Sequence, residues 1–476
     1  MILYKSTKPR NKSFDEFHNF NLYENSDKPD TVRWNEFIHK IKILWYNDVN
    51  CSDYEEIEKH LFHFQMFLKN RCPPKIQIIK DQHVLHFLVE IFKSLKSIDF
   101  QLQALNIIYL FLKIYPNELC DEFLNTEIIH VFILFIENIE YMSEKIKNTF
   151  PFVIAKILRK VLYYNNDSCI FMIQKGQNGL SLFDNFLILL DRIKDKDESS
   201  FKTEKEIYKL LTIICKYNKV SKNYIEKVIE VFLVALREKK EFSYSTICKN
   251  FYLIWCSRKE FHFLFFWDIV NALNILYQEY KYPKALYYIS LLFYEFLDFY
   301  PETSKIINPF LLYKYAKDFQ VYIIEECNDY DITSISIKLL SKKMYIEQEE
   351  WINFNYEELI CFCSTLFNET QFLPKESSTI LLLTLINYSG LKYFASEYYL
   401  NTLSKAYKLS IDVIYNNEEI CIKSIIRILP FIFNEHIYKN ISNDIFNLLN
   451  NIKENQSEYS KIAEELLIQY FNFENS

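Results

Sequence analysis

The stretch 60–115, HLFHFQMFLKNRCPPKIQIIKDQHVLHFLVEIFKSLKSIDFQLQALNIIYLFLKIY, decides the fold. Its apolar residues recur at helical rather than alternating spacing, and its last apolar run stops at Pro116, whose ring cannot continue a helix. The same pattern runs on in both directions from Asp30 onward. Asp30-Thr31 precedes VRWNEFIHKIKILW, Ser52-Asp53-Tyr54-Glu55 has the spacing of a capping box, and Pro301 ends LLFYEFLDFY as Pro116 ends its counterpart. Alternating strand patterns closed by Asn-Gly turns are absent. The class expected is all-α.

Working outward, the long apolar helices start near residues 99, 149, 204, 243, 282, 331, 376, 418 and 459, a mean step of about 45, within the range of two- and three-helix repeats. One pair of helices repeats in detail: Tyr109-x-Phe111-Leu112-x-Ile114-Tyr115-Pro116 matches Tyr294-x-Phe296-Leu297-x-Phe299-Tyr300-Pro301. A pair of short helices cannot bury its apolar face alone, so each must stack on the next. The expectation is a right-handed superhelical α–α solenoid. It would comprise a loose N-terminal arm at 1–29, one helical repeat domain of nine or ten repeats at 30–472, and a tail at 473–476.

Composition narrows the function. A chain of 476 residues is too long for one ordinary core but suits an array that grows in one dimension. Half the residues are apolar and a quarter charged, so the chain folds. Only 3 are glycine, which argues against the Gly-rich phosphate loops of nucleotide-binding enzymes. The excess of Phe, Tyr, Ile, Asn and Lys is that of an AT-rich coding sequence, so aromatic richness is not read as a functional sign. A net charge of −7 argues against nucleic acid or anionic membrane as a general partner. The 11 cysteines form no CxxC pair and sit in apolar runs such as LLTIICKY and LICFCSTL, the pattern of buried free thiols in a reducing compartment. With neither a signal peptide nor an apolar run long enough to span a bilayer, the expected location is cytoplasm or nucleus, without membrane insertion.

The quoted stretch resembles the armadillo family, and within it most nearly importin-α. Repeats of that family close a helix with an Arg-x-Pro-Pro segment, continue through a short x-Ile-Ile helix and a Val-x-x-Phe-Val-Glu helix, and open a third helix with Leu-Gln. Here Arg71, Pro73, Pro74, Ile78, Ile79, Val84, Phe87, Leu88, Val89, Glu90, Leu102 and Gln103 stand in those places. Residues 153–190 are similar to a further repeat, with Gly176 where the family turns between its first two helices; Gly390 is a candidate for the same part. The resemblance implies a concave face lined by third helices and a partner peptide laid along it, with cargo transport into the nucleus through an importin-β-type carrier as the alternative. The departures are that importin-α's Trp-x-x-x-Asn ladder is missing, Ile108 and Leu112 standing at those places, and that 1–29 lacks the long basic arm.

No catalytic motif is present, so an enzyme, a cofactor and a metal are not expected. The pairs His60/His63 and His83/His86, with Cys72 between them, read as polar helix positions rather than four converging zinc ligands. The pattern singled out is basic. Lys156, Arg159, Lys160 and Tyr163 share one helical face, Lys338, Lys342 and Tyr345 (with Ser341) repeat the spacing, and Lys205 and Lys209 give a partial third copy. These residues are the candidate partner-binding set of a non-catalytic adaptor or scaffold. Its partners would be other proteins, drawn through acidic or phosphorylated segments.

Overall fold

The computed structural model describes residues 30–46, 51–69, 73–94, 97–142, 144–174, 179–193, 198–217, 220–238, 241–258, 265–279, 282–319, 331–348, 351, 353–367, 372–389, 397–413, 417–435 and 439–471. The expected arm, the tail, Arg71, Cys72, Gly176 and Gly390 lie outside them. Among the described residues the regular structure is helical throughout, and the chain divides into two compact units, Met1–Ser221 and Lys222–Ser476.

The first unit holds α1 (Asp30–Tyr46), α2 (Cys51–Lys69), α3 (Ile76–Asp81), α4 (Val84–Lys93), α5 (Ile98–Ile114), α6 (Pro116–Leu124), α7 (Ile128–Glu137), α8 (Glu144–Tyr164), α9 (Cys169–Ile173), α10 (Leu182–Arg192) and α11 (Glu198–Lys216). Long helices form a row in which α2 packs on α5, α5 on α8 and α8 on α11; α7 packs on α10 beside them. The row helices start at 51, 98, 144 and 198, so one rung recurs every 46 to 54 residues. Residues 76–114 are therefore a short helix, a second helix and a long third helix, the order implied by the resemblance.

Local chemistry explains these boundaries. Ser97 caps α5 by accepting from the Asp99 amide at 3.2 Å, and Ser181 and Asp184 form a reciprocal capping box at the start of α10. Pro116 opens α6 at a position whose N–H has no helical partner in any case. The joint between the short and second helices needs a left-handed residue. A chain so poor in glycine places His83 (φ 46°) there before α4 and Glu127 (φ 59°) before α7, and a glycine stands at φ 75° at Gly179 before α10. Gln101, rather than the Gln103 matched from the sequence, is the buried anchor: its amide donates to the carbonyls of Phe92 (2.9 Å) and Ser94 (2.8 Å) at the end of α4. The Tyr115 hydroxyl donates to the Pro74 carbonyl at 2.8 Å and ties the two ends of this repeat together.

The second unit holds α12 (Lys222–Arg237), α13 (Tyr244–Ser257), α14 (Phe266–Gln278), α15 (Pro283–Phe299), α16 (Pro309–Asp318), α17 (Ile332–Glu347), α18 (Tyr356–Leu366), α19 (Phe372–Ser389), α20 (Glu397–Val413), α21 (Glu418–Glu435), α22 (Lys439–Glu454) and α23 (Ser460–Phe471). Its row runs α13, α15, α17, α19, α21, α23, each packed on the next, with starts 39 to 49 residues apart. α18, α20 and α22 form a second row beside it. α17 is wrapped by α15, α16 and α19, so its apolar residues and small hydroxyl residues are buried on nearly every face. That is why it carries no clear apolar stripe in sequence.

Three expected starts differ by more than one residue: α8 starts at Glu144 rather than near 149 and carries Pro151 within it, α11 starts at Glu198 rather than near 204, and α19 starts at Phe372 rather than near 376; α2 starts at Cys51, one residue ahead of Ser52. Pro151 is the eighth residue of α8, where it forgoes one internal helical hydrogen bond, and the helix runs on through it, so a proline need not mark a helix start.

Candidate interaction surface

The candidate residues all lie on row helices: Lys156, Arg159, Lys160 and Tyr163 on α8, Lys205 and Lys209 on α11, and Lys338, Lys342 and Tyr345 on α17. Their surroundings separate them into two sets, one in each unit.

In the first unit, α5, α8 and α11 pack successively, and a chain of contacts crosses them. The Lys156 ammonium sits over the rings of Phe152 (4.1 Å) and of Tyr109 on the preceding rung (5.4 Å). Arg159 reaches forward to Glu206 on α11 (Nη2 to Oε2, 3.1 Å), and Lys209 meets the same carboxyl at 2.7 Å. Glu206 is nearly buried, so one carboxylate anchors two cations from two helices. Burial, then the repulsion of Arg159, Lys209 and Lys113 against the pull of Glu206, holds the Lys156 pKa below the usual lysine value. Burial and the neighbouring Lys209 do the same to Lys205. Lys160 lies over the Tyr164 ring at 5.9 Å, and Tyr163 beside it is largely exposed.

The second unit uses the same spacing differently. Lys342 donates to the Tyr294 carbonyl (2.7 Å), pairs with Asp298 (2.7 Å), and lies over the Tyr294 ring at 3.7 Å. Lys338 pairs with Glu376 on α19 at 2.7 Å, and the Tyr345 hydroxyl donates to Glu419 on α21 at 3.1 Å. Each of these three is thus tied to a carboxylate of an adjoining row helix or, for Tyr345, one further along. The equivalences also shift. Tyr109 receives Lys156, and its repeat partner Tyr294 receives Lys342, so Lys342 corresponds to Lys156 and not to Lys160. Spacing alone aligned the copies one helical turn out of step.

Ile108 and Leu112, placed by the resemblance where importin-α carries its ladder, are fully buried and offer nothing to a groove; the outward residues of α5 include Tyr109 and Lys113. Among the described residues no group of three or more His, Cys, Asp or Glu side chains could hold a metal ion. His60 is buried, with its ring edge on Phe37 and Nε2 3.4 Å from Glu56; burial, then Lys40, keeps its pKa low against the pull of Glu56. Cys215 and Cys363 are buried as expected, the Cys363 thiol being pushed up to about 12 by burial, while Cys361 is only half-buried and Cys256 is exposed. No described helix is long and apolar enough to cross a membrane.

What sequence reading missed was the carboxylates. Glu206, Asp298, Glu376 and Glu419 lie on other row helices, 38 to 74 residues along the chain from Arg159, Lys342, Lys338 and Tyr345, which they hold. The only sign available was that each falls on a row helix.

No protein-family model matches the chain, and no curated protein matches it. Among solved structures, the crystal structure of an engineered protein from the Northeast Structural Genomics Consortium is similar, with TM-score 0.56 and 12% identity over 91% of this chain and 98% of that one. At that identity the likeness concerns the arrangement of helices and nothing of function.

Proposed function

We propose that the chain is a non-catalytic adaptor of the armadillo type, a superhelical solenoid that holds a segment of a partner protein against its row of third helices. The single observation that carries the reading is the imbalance of charge on α5, α8 and α11. There Lys113, Lys156, Arg159, Lys205 and Lys209 influence one another around Glu206 and Glu204, so positive charge is left over in a chain that is acidic as a whole. A cationic face walled by low-dielectric protein attracts anionic segments from a distance and orients them on arrival. The armadillo assignment is supported by the three-helix repeat at 76–114 and by the left-handed joints at His83 and Glu127. The aligned second-unit lysines are engaged by Asp298 and Glu376, which favours the first unit as the partner-binding part.

Affinity purification from the native cell tests this, using the wild-type chain beside a Lys156→Gln/Lys205→Gln variant, with captured proteins read by mass spectrometry. A partner retained by the wild type and lost from the variant, at unchanged helical content, is the expected outcome. Capture of the same partners by both proteins would overturn the assignment of the first-unit face.

A further inference from the structure

We propose that the first unit carries a small-molecule site between α7 and α10, the helices that pack beside the row, and that its ligand is a free branched aliphatic amino acid of the size of leucine. The site is a cavity of about 120 Å³. α7 supplies Ile136 and Glu137 from its last turn, and the single 3-10 turn at Ile139–Tyr141 folds Ile139 back beside them. α10 supplies Asn185, Leu189 and Arg192, which share one helical face at spacing i, i+4, i+7.

A buried amide singles this cavity out. At a helix start, the residue before the N-cap commonly packs against an apolar residue four places into the helix. Around Ser181, the N-cap of α10, the first member of that pair is Leu180 and the second is Asn185, so an amide stands where an apolar side chain is the rule. Asn185 is 6% exposed. Among the described residues its side chain makes one hydrogen bond, from Nδ2 to Glu137 at 3.5 Å, which is the outer limit for such a bond. A buried amide ordinarily has its donors and acceptor filled, and this one borders an open space.

The lining selects the ligand. Ile136, Ile139 and Leu189 are buried and make an apolar floor, with Leu180 and Ile188 half-buried beside it. An apolar cavity of about 150 Å³ is filled by one benzene ring, so this one takes an aliphatic group of about four or five carbons and is too small for an aromatic side chain. Its polar groups carry both signs. The Glu137 carboxylate and the Asn185 amide oxygen accept, and the exposed Arg192 guanidinium offers a carboxylate two parallel donors. An ammonium, a carboxylate and a short branched apolar group on one carbon atom satisfy all three parts. A free acid would set a second negative charge beside Glu137, and an amine alone offers nothing to Arg192. Such a ligand is neutral overall, so its binding depends little on salt, unlike that of an anionic segment on the row helices.

Isothermal titration calorimetry of the full chain with L-leucine at two temperatures tests the inference. Leucine is expected to bind, with L-phenylalanine, leucinamide and N-acetyl-leucine each at least tenfold weaker. Leucinamide and N-acetyl-leucine stand for the first and last residues of a peptide, so equal or tighter binding of either overturns the free amino acid in favour of a chain end. Equal binding of phenylalanine overturns the assigned cavity. Arg192→Gln, at an exposed position, should weaken leucine at least tenfold and leave the weaker binding of leucinamide unchanged. Asn185→Leu, which restores the apolar pair with Leu180, should abolish binding at an unchanged or higher thermal midpoint. A folded Asn185→Leu protein that binds leucine as the wild type does places the site elsewhere and overturns the assignment. Absence of heat at both temperatures with millimolar leucine overturns the inference outright, and the partner captures decide the adaptor reading separately.

Discussion

Replacing Glu206 by Gln should weaken the fold and strengthen binding at the same time. Glu206 is 7% exposed and holds two cations, Arg159 from the preceding rung at 3.1 Å and Lys209 from its own helix at 2.7 Å. Removing one partner of a fully buried ion pair costs about 3–5 kcal/mol, whereas an exposed pair is worth about 0.2–1 kcal/mol. The Arg159 and Lys209 side chains are 30% and 40% exposed, so water takes up part of the loss. Gln also keeps the shape and one acceptor, which places the cost at about 1–2 kcal/mol. For a unit of this size that lowers the thermal midpoint by about 3–6 °C. The same change deletes the central negative charge on the face. For a ligand carboxylate about 7 Å away, the lost repulsion is about 0.6–1 kcal/mol, a three- to fivefold gain in affinity that shrinks with added salt. Differential scanning calorimetry gives the first quantity, and fluorescence anisotropy of a labelled acidic peptide at two salt concentrations gives the second. An unchanged midpoint would show that Glu206 does not join the rungs. A lowered midpoint with unchanged or weaker peptide binding would refute the electrostatic account of the face.

Three other outcomes are expected. Lys342→Ala removes the ion pair to Asp298, the bond to the Tyr294 carbonyl and the ring contact, and should cost the second unit about 1–3 kcal/mol by denaturant unfolding while leaving peptide affinity unchanged. Glu127→Gly relieves a left-handed residue whose pairing with Lys93 is long (3.9 Å) and exposed, and should raise first-unit stability by about 0.5–1 kcal/mol in the same assay. On acidification, the unfolded chain protonates His60 near 6.5 while burial holds the folded group lower. The unfolded state therefore gains protons first, and stability is lost as pH falls below about 6.5; burial lowers His63 in the same direction, so His60→Gln should make the fall of urea midpoints with pH shallower without abolishing it, and an unchanged slope would sink the assignment.

The row helices were legible because their cause is local. Apolar residues at helical spacing and the prolines at 116 and 301 mark where helices stop, and the expected starts at 99, 243, 282, 331, 418 and 459 each fall within one residue of the observed ones. The starts expected near 149, 204 and 376 fall four to six residues late, the first because Pro151 is inside α8, and Ile108 and Leu112 failed as groove positions because a helix packed between two rungs buries more of its circumference than an aligned motif reveals. The site was half legible for a related reason. Which residues are basic, and that they share a helical face, can be counted along one helix. Whether they remain cationic toward a ligand depends on what the next rung offers, and that residue is some forty or fifty positions away. Lys156 and Lys342 illustrate this: both rest on the tyrosine of the same repeated motif, yet Asp298 follows that tyrosine by four residues in one case and Lys113 in the other. A single exchange of acid for base, at one position of the preceding rung, decides whether the lysine is a strut within the second unit or part of a charged face on the first. Reversing it should move the property with it: Lys113→Asp should draw Lys156 into an ion pair and silence the first-unit face without touching any residue of α8.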